Sequence, residues 1–118
     1  MKYELTYLQS FVDDMLFFFC DYMLESEYPK DILENFRTEV EKKAESLRES
    51  PDRFAVYEKI PEFRRMLVLY DYQVFYTIRE NKKLVQLHHI LHGHRNIQKF
   101  LRRESKATRA DGTFGHGS

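Results

Sequence analysis

The second half of the chain holds three short runs that read as neighbouring β-strands. Residues 66–70 form a brief apolar run. Residues 73–79 carry Val74, Phe75, Tyr76, Thr77 and Ile78 in succession, all β-branched or aromatic. Residues 84–92 alternate for much of their length. The breaks are short: Tyr70, Asp71 and Tyr72 make one tight connection, and residues 79–83 make a polar hairpin loop. Parallel neighbours need a long crossover, so these breaks predict an antiparallel meander. A period of two then sorts the faces. Val74, Tyr76 and Ile78 point one way; Gln73, Phe75, Thr77 and Arg79 point the other. On the last strand, regular alternation groups Val85, Leu87, His89 and Leu91 against Leu84, Gln86, His88, Ile90 and His92. Each strand thus has a mainly apolar face that needs a helical cover. The mixed faces are expected to form an open surface carrying Gln73, Arg79, His88 and His92.

The first half supplies that cover. Residues 2–8 alternate, with Tyr3, Leu5 and Tyr7 on one face, and predict an edge strand. Ser10, with Asp13 three residues on, resembles a capping box with Asp in place of Glu. In the helix that follows, to about Ser26, Phe11, Met15, Phe18, Phe19, Tyr22 and Met23 recur at three- and four-residue steps. Phe17 falls off that stripe and is the candidate for meeting a partner. Pro29 suits the first turn of a second helix. Asp31 and Glu34 complement its positive end. Ile32, Phe36, Val40, Ala44 and Leu47 form its narrow stripe, and Ser50 with Pro51 ends it. Residues 52–62 show no period, but Phe54, Val56 and Tyr57 are placed to pack down. A third helix is expected after Arg95, with Ile97, Phe100 and Leu101 apolar. Residues 1–103 therefore read as one domain, and the Gly-rich residues 104–118 as a tail with little to bury.

Composition narrows the class. At 42% hydrophobic and 15% aromatic residues, the chain can build a core. No apolar run approaches the roughly 20 residues of a membrane span, and no basic segment precedes an apolar one as in a signal peptide. A cytoplasmic protein is the default expectation. Cys20 is the single cysteine, which leaves no intrachain disulfide and fits a buried small hydrophobe. The net charge is zero, but the halves differ. Residues 1–50 hold 6 basic and 12 acidic residues, a net −6; the remainder hold 13 and 7, a net +6. The second half either presents a basic face to an anionic partner or is neutralised by the acidic helices. No cofactor or metal motif is present. His88 and His92 would lie about 13 Å apart on one strand face, too far to share an ion.

The order β, α, α, three strands and a short helix resembles the RelE/ParE family of bacterial toxins of type II toxin–antitoxin, or plasmid-stabilisation, systems. Family members carry an Arg entering the second strand, a Tyr-Arg-apolar-apolar-Tyr run, and a strand ending in His-Gly-basic-Arg. Arg64 and Arg65, the run from Tyr72 to Tyr76, and His92, Gly93, His94 and Arg95 occupy those places in order. The resemblance covers roughly residues 3–101. It implies an α+β fold, with a twisted antiparallel sheet covered by an N-terminal helical hairpin. It also implies a growth-arresting protein neutralised by a cognate antitoxin, without cofactors.

Two activities occur in the family. RelE-like members cut mRNA on the ribosome; ParE-like members inhibit DNA gyrase without nucleolytic chemistry. An RNase using the 2′-hydroxyl needs a base, an acid and cations around the phosphorane. The resemblance assigns such roles to Arg64, Arg65, His92 and Arg95, with Glu62 available to a Glu–Arg–His variant. Gln73, however, stands where the Arg of the Tyr-Arg pair belongs, and Leu101 or a neighbour replaces a Tyr. Loss of a fixed charge weakens phosphorane stabilisation, which shifts the expectation towards gyrase. In that reading Arg95, Lys99, Arg102 and Arg103 form a docking face. A third class is an antitoxin-binding module that has lost toxicity. Each residue also has a plainer use: Arg64 and Arg65 as partners of Glu58 and Glu62, Arg95 as a strand cap, the basic helix residues as a solvated face.

Overall fold

The computed structural model describes residues 2–25, 30–92 and 101. Strand β1 spans Glu4–Tyr7, followed by helices α1 (Gln9–Glu25) and α2 (Lys30–Ser46). Strands β2 (Arg64–Val68), β3 (Tyr72–Arg79) and β4 (Leu84–His92) follow. The sheet order is β1-β4-β3-β2, with β1 parallel to β4 and the other pairs antiparallel. The meander and the edge position of β1 therefore stand as expected. The two connections are 3-10 turns, at Leu69–Asp71 and Glu80–Lys82. Each ends in a left-handed residue: Asp71 (φ 62°) belongs to the first turn and Lys83 (φ 50°) follows the second. Asp tolerates that conformation better than most residues.

The helical hairpin covers the face formed by Met66, Val68, Val74, Tyr76, Val85 and Leu87. Phe36, Val40, Ala44 and Leu47 of the α2 stripe are all buried there, as is Phe11 of α1. Ile32, Phe18, Phe19, Tyr22 and Met23 lie outside the residues whose side chains are described. A second apolar cluster lies on the other side of the sheet: Ile60, Phe63, Phe75, Leu91 and Leu101, with Tyr57 against it. Leu101 is helical and fully buried; the rest of the anticipated third helix, with Ile97 and Phe100, falls outside the described residues. Residues 52–63 fold back along β2: Arg65 N–H donates to Ala55 O, and Tyr57 N–H donates to Phe63 O. Phe54 packs into the hairpin core.

Two expectations are corrected. Ser10 does not cap α1. The carbonyl of Leu8 accepts from the N–H groups of Phe11 and Val12, and the Ser10 hydroxyl donates instead to His88 O at 2.6 Å. The alternation of β4 is also broken. Tyr76 pairs with Leu87 but Phe75 pairs with His89, so one extra residue bulges from the strand. Parity reverses beyond it. Ile90 joins the hairpin core and Leu91 the second cluster. His92, paired with Tyr72 and 5.1 Å from its ring, no longer shares a face with His88.

Candidate functional site

Two surfaces carry candidate residues. The first is the sheet face away from the hairpin. Here the expected open surface is largely closed. His88 is 2% exposed, its Nε2 2.9 Å from the Thr77 hydroxyl and its ring edge-on to Phe63 at 5.1 Å. Gln73 is 8% exposed, and its Oε1 accepts from Arg65 Nη1 at 3.2 Å. The Arg65 guanidinium also lies 5.5 Å from the Tyr57 ring centroid. Arg79, at the far end of the row, donates from Nε to Gln86 Oε1 at 2.9 Å.

Period two separates the arginine pair. Arg65 lies on this face, opposite Phe75; Arg64, opposite Tyr76, lies on the hairpin side. There Arg64 Nη1 donates to Phe54 O at 2.7 Å and to Asp52 O at 3.4 Å, so it holds the returning loop. The same corner buries Tyr76, whose hydroxyl donates to Pro51 O at 2.7 Å. Burial pushes the Tyr76 hydroxyl up to about 12. Glu62 is exposed one residue before the buried Phe63. Of the sequence-derived set, Arg64, Arg65 and His92 are therefore not gathered on one face. Arg95, Lys99, Arg102 and Arg103 lie outside the described residues. Among the described residues no cluster of His, Cys, Asp and Glu is placed to hold a metal ion.

The second surface is on α1. Phe17 is 59% and Leu16 56% exposed, and Val12 continues the stripe one turn back. Beside it a shallow cleft of about 210 Å³ opens between α1 and α2, lined by Tyr7, Phe11, Val12, Met15, Leu16 and Val40 and rimmed by Arg37 and Glu41. The rim residues form an exposed ion pair at 3.4 Å. Burial, with the charges of Glu41 and Glu45 nearby, raises the Tyr7 hydroxyl above its usual range. Among the described residues no helix is long and apolar enough to cross a membrane.

One feature escaped sequence reasoning. Asp14 Oδ2 accepts from Ile90 N–H at 3.0 Å and lies 2.9 Å from His89 Nδ1. The available signal was a polar Asp14 one helical turn beyond Ser10 in an apolar helix.

The family model of the ParE toxin of the type II toxin–antitoxin system parDE matches residues 21–97, more than half of the chain. The chain belongs to the ParE toxin family. Solved structures agree in fold. A double arginine-to-alanine mutant of the E. coli toxin RelE in the free state is similar to this ParE-family chain with a TM-score of 0.61 and 15% identity. The alignment covers 90% of this chain and 97% of that one. The chromosomal ParDE system from P. aeruginosa gives a TM-score of 0.63 at 11% identity, covering 77% and 96%. The RelBE2 toxin–antitoxin complex from Mycobacterium tuberculosis gives 0.53 at 16% identity, covering 78% and 99%. A search of curated protein sequences finds no match. The anticipated α+β fold of the RelE and ParE toxins is thus present.

Proposed function

We infer that this ParE-family toxin arrests growth in the cytoplasm by binding DNA gyrase, without cutting nucleic acid, and is neutralised by a cognate antitoxin. The toxin unit is residues 1–103, with 104–118 as a tail. The observation that carries the non-nucleolytic reading is the closed outer sheet face. Phosphoryl-transfer catalysis needs cations converging on one phosphate. Among the described residues that face offers Arg65 and Arg79, on sheet rows about four residues, or roughly 13 Å, apart. Thr77 and His88, between those rows, are buried 2.9 Å from each other, and Gln73, on the far side of the Arg65 row, is buried and accepts from Arg65. Arg64 points to the opposite side and serves the loop carbonyls. The match to the ParE family model supports the same branch. Docking then falls to the basic set Arg95, Lys99, Arg102 and Arg103, and antitoxin capture to the α1 stripe around Phe17.

The second reading is a RelE-like, ribosome-dependent mRNA endonuclease. It is favoured by the RelE likeness over 90% of the chain and by the accessible Arg65 beside Tyr57. In that case Arg64, Arg65, His92 and Arg95 are jointly required, Glu62 contributes, and Arg95→Ala slows cleavage on the order of a hundredfold. Gln73→Arg then raises activity. Expression with and without the neighbouring gene, followed by primer-extension mapping of mRNA, separates the readings. The gyrase reading expects growth arrest with intact ribosome-bound mRNA. Discrete cleavage sites overturn it. Healthy growth in both cases identifies an antitoxin-binding module without toxicity.

A further inference from the structure

β1 pairs with β4 only as far as Leu87. Beyond that point one edge of β4 is bonded to β3, and the other meets α1. Two α1 side chains, one helical turn apart, take over the work of a neighbouring strand. The Ser10 hydroxyl donates to His88 O at 2.6 Å, and Asp14 Oδ2 accepts from Ile90 N–H at 3.0 Å. Asp14 also holds His89 Nδ1 at 2.9 Å. All three strand residues lie at or just after the bulge that reverses the parity of β4.

Hydrophobic burial alone does not select that bulge. Ile90 and Leu91 are adjacent isomers, and each is 3% exposed, one in each core. A regular β4 would place Leu91 under the hairpin and Ile90 in the second cluster. Each face would still receive one of the two aliphatic residues, and the hairpin face would exchange His92 for His89. A strand whose register is weakly specified by its apolar pattern needs another determinant.

We propose that Ser10 and Asp14 form a register latch: the seating of α1 on the edge of β4 beyond Leu87 selects the bulged register and so decides which face His92 occupies. The bonds from α1 fit the bulged strand, where His88 O and Ile90 N–H face the helix. In a regular strand the residue facing Tyr76 and Val74 is Leu87 and then His89, so the amide that now meets Asp14 turns away. The strand end is thus a two-state element biased from α1. The exposed stripe of Val12, Leu16 and Phe17 sits on the same helix. A partner that shifts α1 is therefore felt at His92; this coupling rests on the antitoxin reading above, whereas the latch does not.

The test uses the full chain without any partner, so it is independent of target and antitoxin. Amide hydrogen exchange is followed at Ile90, with Val74 and Val85 as references, because those two lie in the sheet between two strands. In the Ser10→Ala, Asp14→Ala double variant, which removes the hydroxyl donor and the carboxylate acceptor, Ile90 exchange accelerates relative to both references by about tenfold or more, as expected for a lost hydrogen bond. Contacts from Leu91 to Phe36 or Val40 then appear in nuclear Overhauser spectra. Asp13→Asn, on the same turn and bonded to Gln9, leaves both unchanged. If the double variant does not fold, Asp14→Ala alone is read by the same ratio. Equal acceleration of Ile90, Val74 and Val85, or no change at Ile90, overturns the latch.

Discussion

Adjacent arginines do different work here. Arg64 forks onto two backbone carbonyls of the returning loop, while Arg65 lies on the other side of the sheet against Gln73 and Tyr57. Charge-assisted bonds to backbone carbonyls contribute about 1–3 kcal/mol. Arg64→Ala is therefore expected to lower unfolding free energy by that amount in urea titration, whereas Arg65→Ala costs about 1 kcal/mol or less. Equal losses contradict the division. The Tyr76 hydroxyl gives a second residue-level prediction. Its folded pKa, about 12, lies above the usual value near 10. The native state thus holds the proton more tightly. The resulting stability is fully present below about pH 10 and is lost as pH rises through about 12. Tyr76→Phe should be less stable than wild type at neutral pH, by about 1 kcal/mol for the bond to Pro51. The gap should narrow between pH 10 and 12. Tyr3 and Tyr7 are also raised, but they are common to both proteins and cancel. Period two already placed Arg64 and Arg65 on opposite faces; treating the doublet as one catalytic unit concealed it. The Gln73 departure was legible directly, although its bond to Arg65 was not.

At the scale of elements, β4 kept its sequence-read limits and α2 its stripe, because both patterns are local. The bulge was not legible. Paired histidines followed by an Ile-Leu doublet satisfy either parity, and the choice depends on Ser10 and Asp14, more than seventy residues away. The same distance explains Ser10. Its spacing to Asp13 is that of a cap, and only the fold reveals the bond to His88. α1 carries the prediction of this level. Large apolar side chains exposed together on a helix next to a cleft are suited to covering by another chain. The proposed antitoxin should co-purify with the protein and raise its melting temperature. Burying a Phe is worth about 1.5–3 kcal/mol. Phe17→Glu should therefore weaken antitoxin binding by roughly 10- to 100-fold in calorimetry, with the fold of the toxin alone retained by circular dichroism. Isolation of the native protein as a stable, non-toxic monomer with no partner in a pull-down counts against the proposal.

For the whole molecule, the sequence carried the fold family further than the target. The β-α-α-β-β-β order and the family motifs are properties of the chain. A target is recognised by a surface, and surface charge alone leaves docking and solvated faces alike. The acidic first half and basic second half differ by 12 charges in formal count. An electrostatic docking surface built on the basic half weakens with salt. Arg95→Glu with Lys99→Glu should therefore relieve growth arrest while circular dichroism and antitoxin binding stay unchanged. A folded and fully toxic double variant moves the docking surface elsewhere. The central claim is that this ParE-family protein stops growth by binding gyrase rather than by cutting RNA. Its most direct measurement is the supercoiling of relaxed plasmid by purified gyrase, with the toxin added at micromolar concentration, alone and with its antitoxin. The account predicts loss of supercoiling with toxin alone and its restoration by antitoxin. Undiminished supercoiling, from a protein that arrests growth in the cell, would contradict it.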